Sequence, residues 1–170
     1  IDINGKQSKN LATTAQDEGY PSWSPSGELI TFDAGGYNNS KTGNFTIFTI
    51  NISKGNKVLP ITDNSGNSGD ASWIPNSNQI VYSSDKDDPE EGNYEIYTIS
   101  SDGTGDVRLT FDNGSDTDPT VSNDGRFIAF DSDRDGDSEI FIMNSNGTKQ
   151  KQLTNNSSWD GMPNWGTVTN

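Results

Sequence analysis

A gapless internal repeat constrains this chain more than any other feature. The segment YPSWSPSGELITFD begins at Tyr20, DASWIPNSNQIVYS at Asp70 and DPTVSNDGRFIAFD at Asp118, and a partial fourth copy, MPNWG, begins at Met162. Trp23, Trp73, Val121 and Trp165 share one repeat position, at spacings of 50, 48 and 44 residues. The second half of the unit repeats too. TIFTINISKGNKVLPIT, EIYTISSDGTGDVRLT and EIFIMNSNGTKQKQLT place Gly55, Gly103 and Gly147 in one turn. Six residues after each glycine stand Ile61, Leu109 and Leu153, and Gly5 is followed in the same way by Leu11. Periods of roughly 20–50 residues mark stacked supersecondary units.

Within each unit the apolar residues form short β-branched and aromatic runs: ELITF, FTIFTI, QIVYSS, YEIYTI, RFIAF and EIFIMN. Each is strand-length and bounded by Gly, Asn, Asp, Ser or Pro. No segment keeps a helical period, so the chain reads as all-β. One unit is four antiparallel strands, A to D. Strand A carries the Trp, a tight SPSG or SNDG turn leads to B, a variable loop to C, and a Gly turn to D. Composition matters here, because Leu, Ile, Val and Phe make up only 31 of the 170 residues. So low a fraction would suit a disordered chain. Stacked four-stranded units remove the difficulty by burying their Trp and Ile faces between neighbours, as β-propeller blades do.

The reading is one β-propeller repeat domain over residues 1–170. It divides into an outer strand of a preceding blade (1–17), three blades (18–66, 67–115 and 116–158) and the inner strand of a following blade (159–170). Three blades cannot close, since closed propellers have roughly four to eight. The loose D and A strands could complete a defective fourth blade, two chains could build a six- or eight-bladed ring, or the chain could be a piece of a longer propeller. Ile1 falling inside a C strand favours a fragment or a self-associating module. Trp23 and Trp73 are expected between adjoining blades, with Trp23→Ala costing about 3–5 kcal/mol. Val121 in the Trp position and Asn123 in the Pro position predict a more loosely packed third blade.

YPSWSPSGELITFD, with the later SDRDGDSEIFIMNSNGTKQKQLT, resembles the WD-repeat-like β-propeller repeats of TolB and related extracytoplasmic proteins. The resemblance spans nearly the whole chain. It implies the propeller fold, a periplasmic, secreted or cell-surface location, and protein interaction near the mouth of the central channel.

The chain has 25 acids, 11 bases, no His and no Cys, for a net charge of −14. Disulfides, thiolate metal sites and imidazole mechanisms are excluded. So acidic a chain is poorly suited to nucleic-acid phosphates. No run of about 18 apolar residues is present to span a membrane. In a propeller the D–A and B–C loops leave one face. On this repeat 20 of the 25 acids fall on that face, joined only by Lys41, Lys86 and Arg134 among the bases. Such a face draws in a divalent ion or a basic partner. Acidic loops also serve solubility alone.

Two sets of carboxylates stand out. Glu18, Asp116 and Asp160 each lie three residues before the Pro position of strand A, and Asp70 and Asp118 directly precede it. Propeller geometry brings these five towards the channel mouth, where they are the candidate residues for a protein or peptide with a basic surface. Each could instead cap its own loop backbone. The segment DSDRDGDSEI puts Asp131, Asp133, Asp135 and Asp137 in the D-x-D-x-D-G opening of a calcium loop. The bidentate Glu is missing, because Ile142 stands in its place. A hairpin with Asp-Gly at its tip explains the same residues. Calcium is the one cofactor the sequence suggests. If these acids are merely solvated, neutralising Asp131, Asp133 and Asp135 leaves melting without calcium unchanged. Seven N-x-S/T sequons, at Asn38, Asn44, Asn51, Asn113, Asn146, Asn155 and Asn156, would suit glycans on a surface protein.

Catalysis finds little support. The acids read as exposed, and no pair is marked by an apolar pocket that would raise one pKa for glycoside chemistry. No G-x-S-x-G elbow and no phosphate-binding Gly loop occur. The polysaccharide lyases related to TolB-like repeats use His and a metal, a route closed here. The leading reading is a non-catalytic extracytoplasmic binding or scaffold module. The alternative is a surface-layer or adhesin repeat that self-assembles with calcium bridging its acidic faces. A carboxylate-based polysaccharide-active enzyme ranks last.

Overall fold

A computed structural model describes residues 6, 8–12, 17–35 and 44–166. Twelve strands form three four-stranded antiparallel sheets, each a meander in chain order. Blade 1 comprises β1 (Glu18–Trp23), β2 (Leu29–Gly35), β3 (Phe45–Asn51) and β4 (Lys57–Pro60). Blade 2 comprises β5 (Ser68–Trp73), β6 (Gln79–Ser84), β7 (Glu95–Ser100) and β8 (Val107–Arg108). Blade 3 comprises β9 (Asp116–Val121), β10 (Phe127–Ser132), β11 (Glu139–Asn144) and β12 (Lys151–Gln152). No helix occurs among the described residues.

The central strands β2, β3, β6, β7 and β10 are buried along almost their whole length, because both sheet faces meet protein. The core therefore lies between blades. Ile47 and Ile61 of blade 1 pack with Ala71, Trp73, Ile80, Tyr82, Tyr97 and Ile99 of blade 2. Ile74, Val81, Ile96 and Leu109 of blade 2 pack with Val121, Ile128, Phe130, Phe141 and Met143 of blade 3. Two indoles bond back to the preceding inner strand: Trp73 Nε1 donates to the Ser22 carbonyl at 3.2 Å, and Trp165 Nε1 to the Thr120 carbonyl at 3.1 Å. The C–D turns also press on the preceding blade. At Gly147 (φ 81°) a Cβ would lie 2.9 Å from the Leu109 carbonyl oxygen, so only glycine fits.

Every inner strand carries a bulge. The ladder slips between Gly19 and Ser22, between Gly69 and Ser72, and between Thr117 and Thr120. In each slip one residue turns left-handed: Tyr20 (φ 47°), Asp70 (φ 56°) and Asp118 (φ 50°), matched by Met162 (φ 55°) in the fourth copy. Such an unpaired residue bends the strand and re-aims its side chain.

Two expectations are corrected. Trp23 is 59% exposed, whereas Trp73 is 7% exposed. The indole is covered by the inner strand of the preceding blade, and among the described residues blade 1 has no such strand before it. The third blade is not loose: Val121 is buried in one cluster with Phe130, Phe141 and Met143. The described parts of the two end segments, 8–12 and 159–166, carry no strand pairing among the described residues. Leu11 and Ala12 nevertheless pack on Ile30, Phe32, Phe48 and Ile50 of blade 1. Ile1 lies outside the described residues.

Candidate functional site: an acidic channel cleft

The inner-strand bulges converge on one cleft of about 380 Å³, lined by Tyr20, Asp70, Asp118 and Met162 together with Pro21, Pro119 and Pro163. Strand B adds carboxylates behind them. Asp33, Ser83 and Asp131 share one repeat position. Asp33 is buried between Gly19 and Gly69, where a Cβ would lie 3.0 and 3.3 Å from its oxygens. Asp33 Oδ1 has no hydrogen-bond partner among the described residues. Asp70 Oδ2 accepts the Ser83 hydroxyl at 2.7 Å. Asp131 accepts the Thr117 and Ser138 hydroxyls at 3.0 and 3.3 Å and the Met162 N–H at 3.4 Å.

These carboxylates are close enough to repel one another. Burial, then the charges of Asp70 and Asp131, push the Asp118 carboxyl up to about 6. Burial and then Asp70 raise Asp33. Burial also raises Asp131, against the opposing hydrogen bonds of Thr117, Met162 and Ser138. Asp33, Asp70, Asp118 and Asp131 thus form a partly desolvated anionic group at the channel. A cation entering it would relieve both repulsion and desolvation.

Of the five residues expected at the channel mouth, Asp70 and Asp118 line this cleft and the other three do not. Glu18 is exposed at the start of β1, in a separate groove beside Leu11. Asp160 accepts the Asn156 side-chain amide at 2.7 Å. Asp116 is fully buried, and Arg134 Nη2 binds both its oxygens at 3.0 and 2.9 Å while also reaching Asp112 at 2.8 Å. Burial pushes the Asp116 carboxyl up to about 7, against the opposing effects of Ser132 and Arg134. The Arg134 guanidinium lies 4.4 Å from the centre of the Phe141 ring, and next to it Arg108 pairs with buried Glu95. Glu95, Asp112 and Asp116 are the only carboxylate trio close enough to share an ion among the described residues. Two guanidinium groups already serve them.

The D-x-D-x-D-G segment forms the β10–β11 hairpin, with the Gly136 N–H bonded to the Asp133 carbonyl at 2.9 Å. Asp131, Asp133 and Asp137 line a cleft of about 460 Å³ with Ser115, Thr117, Ser138 and Trp159. Asp135 is not part of it and accepts the Gln152 amide at 2.5 Å. The expectation that these acids are simply solvated fails. Asp133 Oδ1 accepts the Ser115 N–H at 2.7 Å, as Asp85 Oδ1 accepts the Asn67 N–H at 2.6 Å one blade earlier. Each carboxylate clasps the preceding D–A loop, which touches the B–C hairpin so closely at Gly66 and Gly114 that a side chain would collide with the backbone of Lys86 or Arg134. The broader picture of exposed, ordinary acids is corrected in the same way: Asp33, Asp85, Glu95, Asp116, Asp131 and Glu139 are all buried.

Sequence reasoning missed Asp33, Tyr20, Met162 and Ser83 as site residues. Their signal was positional. Tyr20 and Met162 stand where Asp70 and Asp118 do, and Asp33 stands where Asp131 does.

The TolB beta propeller domain family matches residues 89–169. Over those residues the repeats are similar to TolB β-propeller repeats, and the three blades share their fold. Over 46 residues it is 50% identical to the Tol-Pal system protein TolB of Geobacter sulfurreducens, covering 27% of this chain and 10% of that protein. The crystal structure of TolB from Acinetobacter baumannii superposes with a TM-score of 0.74 at 25% identity, over 94% of this chain and 38% of that one. An oligogalacturonate lyase in complex with manganese superposes with a TM-score of 0.63 at 18% identity, over 89% of this chain and 40% of that one, a likeness of fold. The chain spans about two fifths of the length of these solved relatives and a tenth of the curated one.

Proposed function

We propose that this chain is a non-catalytic, extracytoplasmic binding module whose acidic channel cleft takes a basic segment of a partner protein. The observation that carries the reading is the group Asp33, Asp70, Asp118 and Asp131 gathered beside the inner-strand bulges, in which burial raises the carboxyl pKa of Asp33, Asp118 and Asp131 and neighbouring negative charge adds to it at Asp33 and Asp118. Desolvated like charges attract a cation more strongly than scattered surface acids do. The TolB-like repeat supports a binding role and a periplasmic setting. Catalysis is disfavoured because the sequence has no His or Cys to serve as base or nucleophile beside these carboxyls. Titration calorimetry with a lysine-rich peptide tests the proposal. Binding should weaken about tenfold or more in the double variant Asp70→Asn/Asp118→Asn. It should also weaken as pH falls through about 6, the value to which Asp118 is pushed. Unchanged affinity in the double variant would refute it.

A second reading, calcium at the β10–β11 hairpin, is favoured by one observation: Asp137 Oδ2 is buried beside Asp131 and Asp133 with no hydrogen-bond partner among the described residues. Calcium should then raise Tm in a manner that Asp137→Asn abolishes. No shift at millimolar calcium removes this reading.

A further inference from the structure

A cleft of about 580 Å³ lies between the A–B turns of blades 1 and 2, lined by Ser24, Pro25 and Leu29 on one side and Trp73, Asn76 and Asn78 on the other. Its volume is in the roughly 300–1,000 Å³ range of small-molecule sites. The next junction shows why the space is open here. Ile74 stands one repeat after Ser24, and Gly125 one repeat after Ser77. Between blades 2 and 3, Ile74 is buried in an apolar cluster with Val121 and Ile128. The turn of blade 3 closes on it, so that a Cβ at Gly125 would lie 3.5 Å from the Pro75 carbonyl oxygen and 3.8 Å from Ile74 Cγ2. Between blades 1 and 2 the short Ser24 side chain instead folds back on its own turn. Its hydroxyl accepts the Leu29 N–H at 3.0 Å and lies 3.2 Å from Ser26 Oγ. Ser77 likewise donates to the Ile74 carbonyl at 2.9 Å. No isoleucine fills this junction.

The lining has a consistent chemistry. No Asp, Glu, Lys or Arg lines the cleft, although 21% of the chain is charged. An ionic ligand would therefore lose hydration there without gaining a counter-charge. The Asn76 and Asn78 carboxamides have no hydrogen-bond partner among the described residues. Each carboxamide is both donor and acceptor, which is what neighbouring hydroxyl groups require. The Trp73 indole N–H is already given to the Ser22 carbonyl at 3.2 Å, so that ring offers apolar surface, alongside Leu29 and Pro25. Such surface suits the C–H face of a pyranose. We propose that this cleft binds a neutral saccharide of one or two rings, with Asn76 and Asn78 bonding its hydroxyls. A ligand of that size in an open site binds with a Kd between about 10 μM and 10 mM. The A–B turns leave the meander at the end opposite the D–A loops, so the proposal is independent of what the channel binds.

Heteronuclear NMR titration with maltose, cellobiose, lactose and N,N′-diacetylchitobiose, each up to about 20 mM, is the test. At least one of these sugars should shift the side-chain amide signals of Asn76 and Asn78 together with the Trp73 indole signal. The double variant Asn76→Gly/Asn78→Ala removes both amides, and glycine keeps the left-handed turn at residue 76 (φ 57°). It should weaken binding about tenfold. Ser24→Ile fills the cleft as Ile74 fills the next junction, and should abolish binding. Asn123→Ala, on the exposed turn of blade 3, should bind as the parent does. If Ser24→Ile loses the parental circular dichroism, the double variant decides. No shift with any of the four sugars, or shifts indifferent to Asn76 and Asn78, would overturn the proposal. So would an equal affinity for digalacturonate, or stronger binding of a Ser/Asn-rich peptide at the same signals.

Discussion

The two complete blade junctions solve one packing problem by different means. Between blades 1 and 2 the anchor is apolar: Trp73 is buried and its indole reaches back to Ser22. The polar groups beside that junction are neutral or singly engaged, with Ser68 paired to Ser84 at 3.0 Å and Thr46 to Asn64 at 3.3 Å. Between blades 2 and 3 the Trp is replaced by Val121, and the equivalent polar positions become Asp116, Asp112 and Glu95, tied by Arg134 and Arg108. An identical fold therefore tolerates an aromatic anchor at one junction and a buried ionic clasp at the next. The two fail differently. Losing apolar bulk leaves a cavity, whereas losing one member of a buried ion pair leaves an uncompensated charge.

The largest expected effects separate these cases. Trp73→Ala should cost about 3–5 kcal/mol in denaturant unfolding. Trp23→Ala at the same repeat position should cost less than about 1 kcal/mol in the monomer, since exposed substitutions are usually within about 0.5 kcal/mol. Equal losses at the two sites would show that the blade 1 face is covered. Arg134→Met should cost about 3–5 kcal/mol by stranding Asp116 and Asp112, against about 1 kcal/mol for Ser68→Ala at the neutral junction. Similar losses there would mean that the clasp adds nothing beyond a hydrogen bond.

Asp133→Ala comes next. Removing the acceptor of the Ser115 N–H should cost about 0.5–1.5 kcal/mol without calcium. An unaltered melting curve would return the hairpin acids to the role of solvated decoration.

The pH dependence also distinguishes the junctions. Asp116 and Asp118 have folded pKa values of about 7 and about 6, above the usual 3.8. The native state therefore binds their protons more tightly than the unfolded chain does. The resulting stability is complete below about pH 4 and is lost as pH rises through 6 to 7. Tm should be higher at pH 5 than at pH 8, and Asp118→Asn should flatten that difference. A Tm that falls on acidification across this window would contradict the desolvated state of both carboxyls. The smallest effect belongs to the bulges. Tyr20 holds a left-handed conformation that Asn adopts more readily, so Tyr20→Asn should gain about 0.5–1 kcal/mol. A loss would show that the exposed Tyr20 ring makes a stabilising contact that outweighs the backbone strain.

Repeat spacing alone was enough to specify strands, turns and the stacking of blades. Trp, Ile and Gly recur at fixed offsets because each blade must offer its neighbour the same surface. The six-residue step from Gly55 to Ile61 and from Gly103 to Leu109 marks residues that are buried just past β4 and β8, whereas the same step from Gly147 reaches the exposed Leu153. Spacing could not say whether a neighbour was present to cover a given copy, and Trp23 differs from Trp73 for that reason. Nor could it separate acids on a loop from acids folded under one. Asp116 and Asp160 occupy the same repeat position, yet one is locked in a buried ion pair and the other bonds an amide at the rim. Position along a strand follows from local sequence. Burial and charge pairing are sums over residues far apart in the chain, and only the assembled blades bring Arg134 to Asp112 or Asp70 to Asp118.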